Sequence, residues 1–136
     1  MSRTRFLNVD LELVSTKEVD PLLAHWSDAT FTLRDSVDAS RRTIWLELGG
    51  APQDADAAVR DFADLVETLP ADLRNLWNDC EDRCLNVGVE GGASPDASAF
   101  RISTGSIVAL AAMSARLEFT VYGSRVPPKR RRRESA

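Results

Sequence analysis

The chain offers few groups for bond-making chemistry. Its single histidine, His25, stands in "LLAHW". An imidazole that ligates a metal or moves a proton needs a second group to fix its tautomer or complete the site, and no spacing here supplies one, so His25 reads as a structural or surface histidine. Two cysteines, Cys80 and Cys84, frame "CEDRC". Neighbouring thiolates hold soft metals, but a zinc site takes four ligands, and neither a third cysteine nor a histidine pair is present. Cys80 continues the stripe of Leu73, Leu76 and Trp77, the position of a small buried hydrophobe; a regulatory disulfide with Cys84 is the other reading. The patterns G-x-S-x-G, H-E-x-x-H, G-x-x-x-x-G-K-[ST] and G-x-G-x-x-G are absent from the sequence. The expectation is a protein with no catalytic residue, no metal and no cofactor.

Carboxylates are the remaining reactive type. Asp10, Glu12, Glu47, Glu90 and Glu118 occupy outward positions of alternating segments, and Glu81 and Asp82 adjoin within the cysteine segment. They offer oxygen ligands or acid–base pairs, yet no calcium-loop pattern orders them. The carboxylate separation that glycoside chemistry requires is a spatial quantity, so a solvated acidic face is the reading they support.

Charge is unevenly spread. The formal net charge is −4, yet Lys129, Arg130, Arg131, Arg132 and Arg133 lie together behind Pro127 and Pro128. Outside residues 127–136 there remain twelve basic and twenty acidic groups, and residues 54–82 alone carry nine acids, Asp61, Asp64 and Asp72 among them, against Arg60 and Arg74. A phosphate backbone is repelled by such a body everywhere except at the last ten residues. Those ten contain no aromatic to stack on bases, so 127–136 reads as a disordered accessory tail, with weak, salt-sensitive nucleic-acid contact as its limit.

The elements follow from periodicity. Residues 5–14 alternate, with Leu7, Val9, Leu11 and Leu13 on the inward side; 30–34 alternate with Phe31 and Leu33 inward; 42–50 with Ile44, Leu46 and Leu48; 84–92 with Leu85, Val87 and Val89; 99–103 form a short strand; and 116–123 place Leu117, Phe119 and Val121 inward. Helical spacing appears over 18–26, 54–69, 71–80 and 104–115, with Pro70 ending the second helix. The strand-helix-strand units at 6–34 and 99–122 resemble each other, a hint of internal repetition. Alternation in almost every strand implies one solvated sheet face. The expected fold is a single α+β domain over 1–126: a two-layer sandwich, its largely antiparallel or mixed sheet of about six strands carrying helices on one face.

On the open face this arrangement would leave two aromatics, Trp45 and Tyr122, among polar and acidic neighbours, in the manner of interface anchors. The candidate partner-binding set is therefore Trp45, Tyr122, Asp10, Glu12, Glu47, Glu90, Asp61, Asp64 and Asp72. A homodimer, or a small-ligand or enzyme site over the polar face, are the competing uses. No 18-residue apolar run is present and 1–15 do not read as a signal peptide, so the expected setting is cytoplasmic, without membrane contact.

The pieces "FLNVDLELVS", "CLNVGVEGG" and "ARLEFTVYG", with "VETLPADLRNLWNDC" between strands, are similar to small bacterial proteins of the domain-of-unknown-function type. That group includes proteins of comparable layout regarded as immunity proteins, which neutralise a toxin by binding it. The resemblance covers most of 5–123, omits the basic tail and implies no residue roles. Together these readings point to a non-enzymatic module that binds a basic protein, such as a toxin or a nuclease-like enzyme.

Overall fold

Period-two alternation between a wet and a dry side produces the central strand β1, Arg5–Ser15. A computed structural model of the chain describes residues 2–123, and the candidate residues Lys129, Arg130, Arg131, Arg132 and Arg133 lie outside the described residues. After β1 come α1 (Asp20–His25), β2 (Thr30–Asp38), β3 (Arg41–Leu48), α2 (Ala55–Glu67), α3 (Ala71–Asp79), β4 (Asp82–Glu90), α4 (Thr104–Ala112) and β5 (Arg116–Tyr122). The fold is α+β with one five-stranded mixed sheet in the order β2-β3-β1-β4-β5. Every neighbouring pair is antiparallel except β4 and β5, which run parallel. Among the described residues no helix is long and apolar enough to cross a membrane.

The core is built where alternation places it. Val9, Leu11 and Leu13 of β1, Ile44, Leu46 and Leu48 of β3, and Leu85, Val87 and Val89 of β4 are buried together with Val59, Phe62 and Val66 of α2. Asp54 caps α2 by accepting a hydrogen bond from the Ala57 amide at 2.8 Å, which satisfies one of the amides that a helix start leaves unpaired. Pro70 opens α3, where its missing amide hydrogen costs nothing. Deepest in the core, the rings of Trp26 and Trp77 meet edge to face at 5.9 Å, and the Trp77 indole donates to the Met113 carbonyl at 2.8 Å.

Four expectations fail, each for a physical reason. First, 99–103 is not a strand, so the sheet has five strands instead of six and the internal repeat disappears. Ser103 instead caps α4, and its amide donates to Asp56 of α2 at 2.8 Å. Phe100 and Ile102 still pack partly against the core, so their alternation is satisfied without a ladder. Second, Phe31 and Leu33 are not inward: they are 47% and 46% exposed, while Thr30 is buried. Register sets Phe31 opposite Glu47, and the shift between Thr32 and Arg34 places a bulge at Leu33. Third, Leu7 is displaced by a second register shift, between Phe6 and Asn8. A bulge exchanges the two sides of a strand, and Phe6 rather than Leu7 packs against the core. Fourth, Phe119 and Val121 share the side of Val87 and Val89, but β5 is an edge strand and they remain 51% and 68% exposed. Only Leu117 of that trio packs against the core.

The end of α4 carries a local strain that can be relieved. Ser114 has φ 55°, and the Ser114 and Ala115 amides donate back to Ala111 and Leu110. This is the helix ending in which glycine is favoured, because a Cβ is strained in the left-handed region. Ser114→Gly is expected to raise stability by about 0.5–1 kcal/mol, read as a higher urea midpoint with an unchanged slope.

Candidate functional site

On the side of the sheet away from the core, register arranges the outward residues in rows. One row runs Phe31, Glu47, Asp10, Asn86, Glu118; the next runs Arg34, Trp45, Glu12, Cys84, Arg116. Asn8, Gly88 and Thr120 form a third, and Arg5, Glu90 and Tyr122 end the face. The strands supply this order because β1 lies between β3 and β4, so acids distant in sequence become neighbours.

The carboxylates of the face fall into two groups. Asp82 is held bidentately by Arg116 at 2.9 and 2.8 Å, which keeps its carboxyl below the usual range. Arg116 also lies 3.8 Å from Glu118, and Arg5 reaches Glu90 at 2.9 Å. By contrast, Asp10, Glu12 and Glu47 form no ion pair with any described residue. Asn8 alone bridges two of them, its amide donating to Asp10 at 3.1 Å and to Glu47 at 3.3 Å. Burial, reinforced by the neighbouring Glu47 charge, pushes the Asp10 carboxyl up to about 6.

That shift has a sign. A carboxyl with a native value above its unfolded one favours the fold while protonated, below about pH 4, and this contribution is lost as pH rises through about 6. Asp10→Asn keeps an acceptor for Asn8 and removes the charge. With allowance for solvent screening, the variant is expected to be more stable by about 1 kcal/mol at pH 7 and equal to the parent at pH 4. Urea midpoints at the two pH values check this.

The aromatic candidates do not form one patch. Trp45 is half-buried, with the Arg34 guanidinium 5.1 Å above its ring, a cation–π contact. Tyr122 is exposed at the opposite corner, three strands away and six residues further along, roughly 14 Å across and 20 Å lengthwise from the standard spacings. Its ring lies over Gly88, where an added Cβ would come within 3.4 Å of it and within 2.8 Å of the Asn8 side-chain oxygen. Glu90, expected to be solvated, is buried and paired with Arg5 at the start of β1. Asp61, Asp64 and Asp72 are exposed on α2 and α3. Phe62 and Val66 of α2 are buried in the core, so Asp61 and Asp64 lie on the exposed side of that helix, and none of the three acids belongs to the strand rows that hold Trp45.

The cysteines also separate. Cys80 lies in the core and Cys84, also buried, on the other side of the sheet in the row of Glu12 and Arg116, and both are free. Burial pushes both thiols up, Cys84 to about 12, so neither is a thiolate nucleophile near neutrality. His25 is exposed at the end of α1. Among the described residues no group of three or more His, Cys, Asp or Glu side chains could hold a metal ion.

What the sequence did not reveal is a cavity of about 320 Å³ at one end of the acidic row. It opens between the first half of β1, the end of β3 and the 49–52 segment, with Asn8 and Glu47 in its wall. Its only sequence signal is the glycine pair Gly49–Gly50 closing β3. No family model, curated protein or solved structure matches the chain.

Proposed function

We propose that the chain is a cytoplasmic, non-enzymatic binding module of two layers, helices over one sheet face, and that the other face docks a basic protein. One concrete version is an immunity-type protein that neutralises a basic toxin or enzyme. The observation that carries the reading is the trio Asp10, Glu12 and Glu47, which have no ion-pair partner among the described residues and stand on central strands while the surrounding acids are matched by arginines. Unmatched charge on a preorganised surface gives a cationic partner a faster encounter and penalises wrong ones. Trp45 anchors the contact beside that trio, with Tyr122 and Glu90 at its far rim. Asp61, Asp64 and Asp72 act at a distance, adding to the field that steers approach. The free thiols are consistent with a reducing compartment.

Affinity capture on the immobilised chain tests this. A specific basic protein is expected to be retained at low salt and released as ionic strength rises, because screening shortens the range of the field to about 3 Å at 1 M salt. Retention indifferent to salt, or no retained basic protein, counts against the proposal.

A second reading, a small-ligand site, is favoured by the cavity against Asn8 and Glu47. A compound bound there with no protein partner found would make it the better one.

A further inference from the structure

The cavity at the end of the acidic row combines two chemistries in one small space. Phe6, Phe31, Leu48 and Pro52 give it apolar walls, while Asn8 and Glu47 bring polar groups into the same lining. At about 320 Å³ it stands at the lower end of the range for ligand pockets. That size suits one side chain rather than a nucleotide or a flavin. Phe31, kept out of the core by its register, becomes a wall of this space.

The charge in the wall has no counter-charge among the described residues. Glu47 and Asp10 are cross-strand neighbours, so two like charges stand side by side, a destabilising arrangement. Asn8 donates one amide to both, which holds the carboxylates in place without neutralising either. Since no described set of residues could hold a metal ion there, the ligand chemistry that fits is an organic cation with an apolar stem. Lysine and arginine side chains have this form: the methylenes lie along apolar surface and the head seeks a carboxylate.

We propose that this cavity receives one basic side chain of the protein partner, its methylene stem against Phe6, Phe31, Leu48 and Pro52 and its cation at Glu47, whose cross-strand neighbour Asp10 adds to the field. The inference rests on the binding-module reading and gives it a specific pocket.

Side-chain mimics test the pocket directly. In amide-resolved NMR of the full chain, n-butylguanidinium and n-butylammonium are expected to shift Asn8, Glu47, Gly49 and Gly50. Neutral n-pentanol at equal concentration leaves them nearly unmoved. Glu47→Gln weakens the cation response about tenfold, the scale of one charge-assisted hydrogen bond, with the rest of the spectrum unchanged. Because the chain carries its own arginines, the titration is repeated on the full chain with Lys129→Ser, Arg130→Ser, Arg131→Ser, Arg132→Ser and Arg133→Ser. Shifts at the pocket in either chain support the proposal. It is overturned if neither responds, if pentanol acts as strongly as the cations, or if Glu47→Gln changes nothing. A silent pocket alongside salt-sensitive capture of a basic protein removes only this inference. A responsive pocket in a chain that captures no protein removes the binding-module reading and leaves a cation site.

Discussion

Trp77→Ala is expected to destabilise the fold by about 4 kcal/mol, from the range measured for aromatic truncations in packed cores. Trp77 is fully buried, and three losses combine. The indole volume becomes a void that α1 and the sheet close only in part. Its edge-to-face partner Trp26 loses a contact worth about 0.5–1.5 kcal/mol beyond area. The Met113 carbonyl, at the C-cap of α4, loses the indole donor at 2.8 Å, and an unsatisfied buried acceptor costs about 1–3 kcal/mol. Against a total of about 5–15 kcal/mol for a domain, the variant stands near the limit of folding. Trp77→Phe separates the terms: it keeps a ring and removes the donor, for a loss of about 1–2 kcal/mol. Urea unfolding followed by tryptophan fluorescence measures both. A loss below about 1 kcal/mol for the alanine variant would show that the core is not organised around this pair.

The largest functional effect is expected from reversing the unpaired acids. Glu12→Arg with Glu47→Arg replaces attraction by like-charge contact, a change of several kcal/mol where charges are desolvated, so partner affinity should fall at least about a hundredfold. Neither residue is ion-paired with any described residue, and the circular dichroism spectrum should be unchanged. Asp61→Arg with Asp64→Arg on α2 makes the same charge change on the other surface. It should lower affinity only about threefold, through the on-rate. Binding measured for both pairs at one salt concentration decides between the surfaces, and the opposite ranking would move the site to the helices.

Much of the core was legible because local alternation and burial coincide on central strands. Leu11, Leu13, Ile44, Leu46, Leu85 and Val87 each have a strand on both sides, so the apolar set is also the buried set. Phe31, Phe119 and Val121 show where this reasoning stops: alternation selects a side, but only strand order reveals that β2 and β5 are edges with too little covering them. Leu7 illustrates a second limit, since a bulge reverses the sides without a mark in composition. The acidic face was partly visible as outward carboxylates. Its internal distinction was not, because whether Glu90 meets Arg5 or Asp10 meets Glu47 depends on the register between distant strands. The cavity depends on the same register, and its one local signature was the glycine pair Gly49–Gly50.

The place of β1 at the middle of the sheet has a consequence for how the chain comes off the ribosome. β1, which precedes the other four strands in the chain, pairs on one side with β3, some thirty-five residues later, and on the other with β4, some seventy-five residues later. Until residues 82–90 emerge, one whole rim of β1 presents open amides and carbonyls beside Leu11 and Leu13, the setting in which foreign strands add to a sheet. A fragment that ends before β4 thus exposes the edge of β1 that β4 covers in the complete sheet, and is the form of this chain most open to adding a foreign strand.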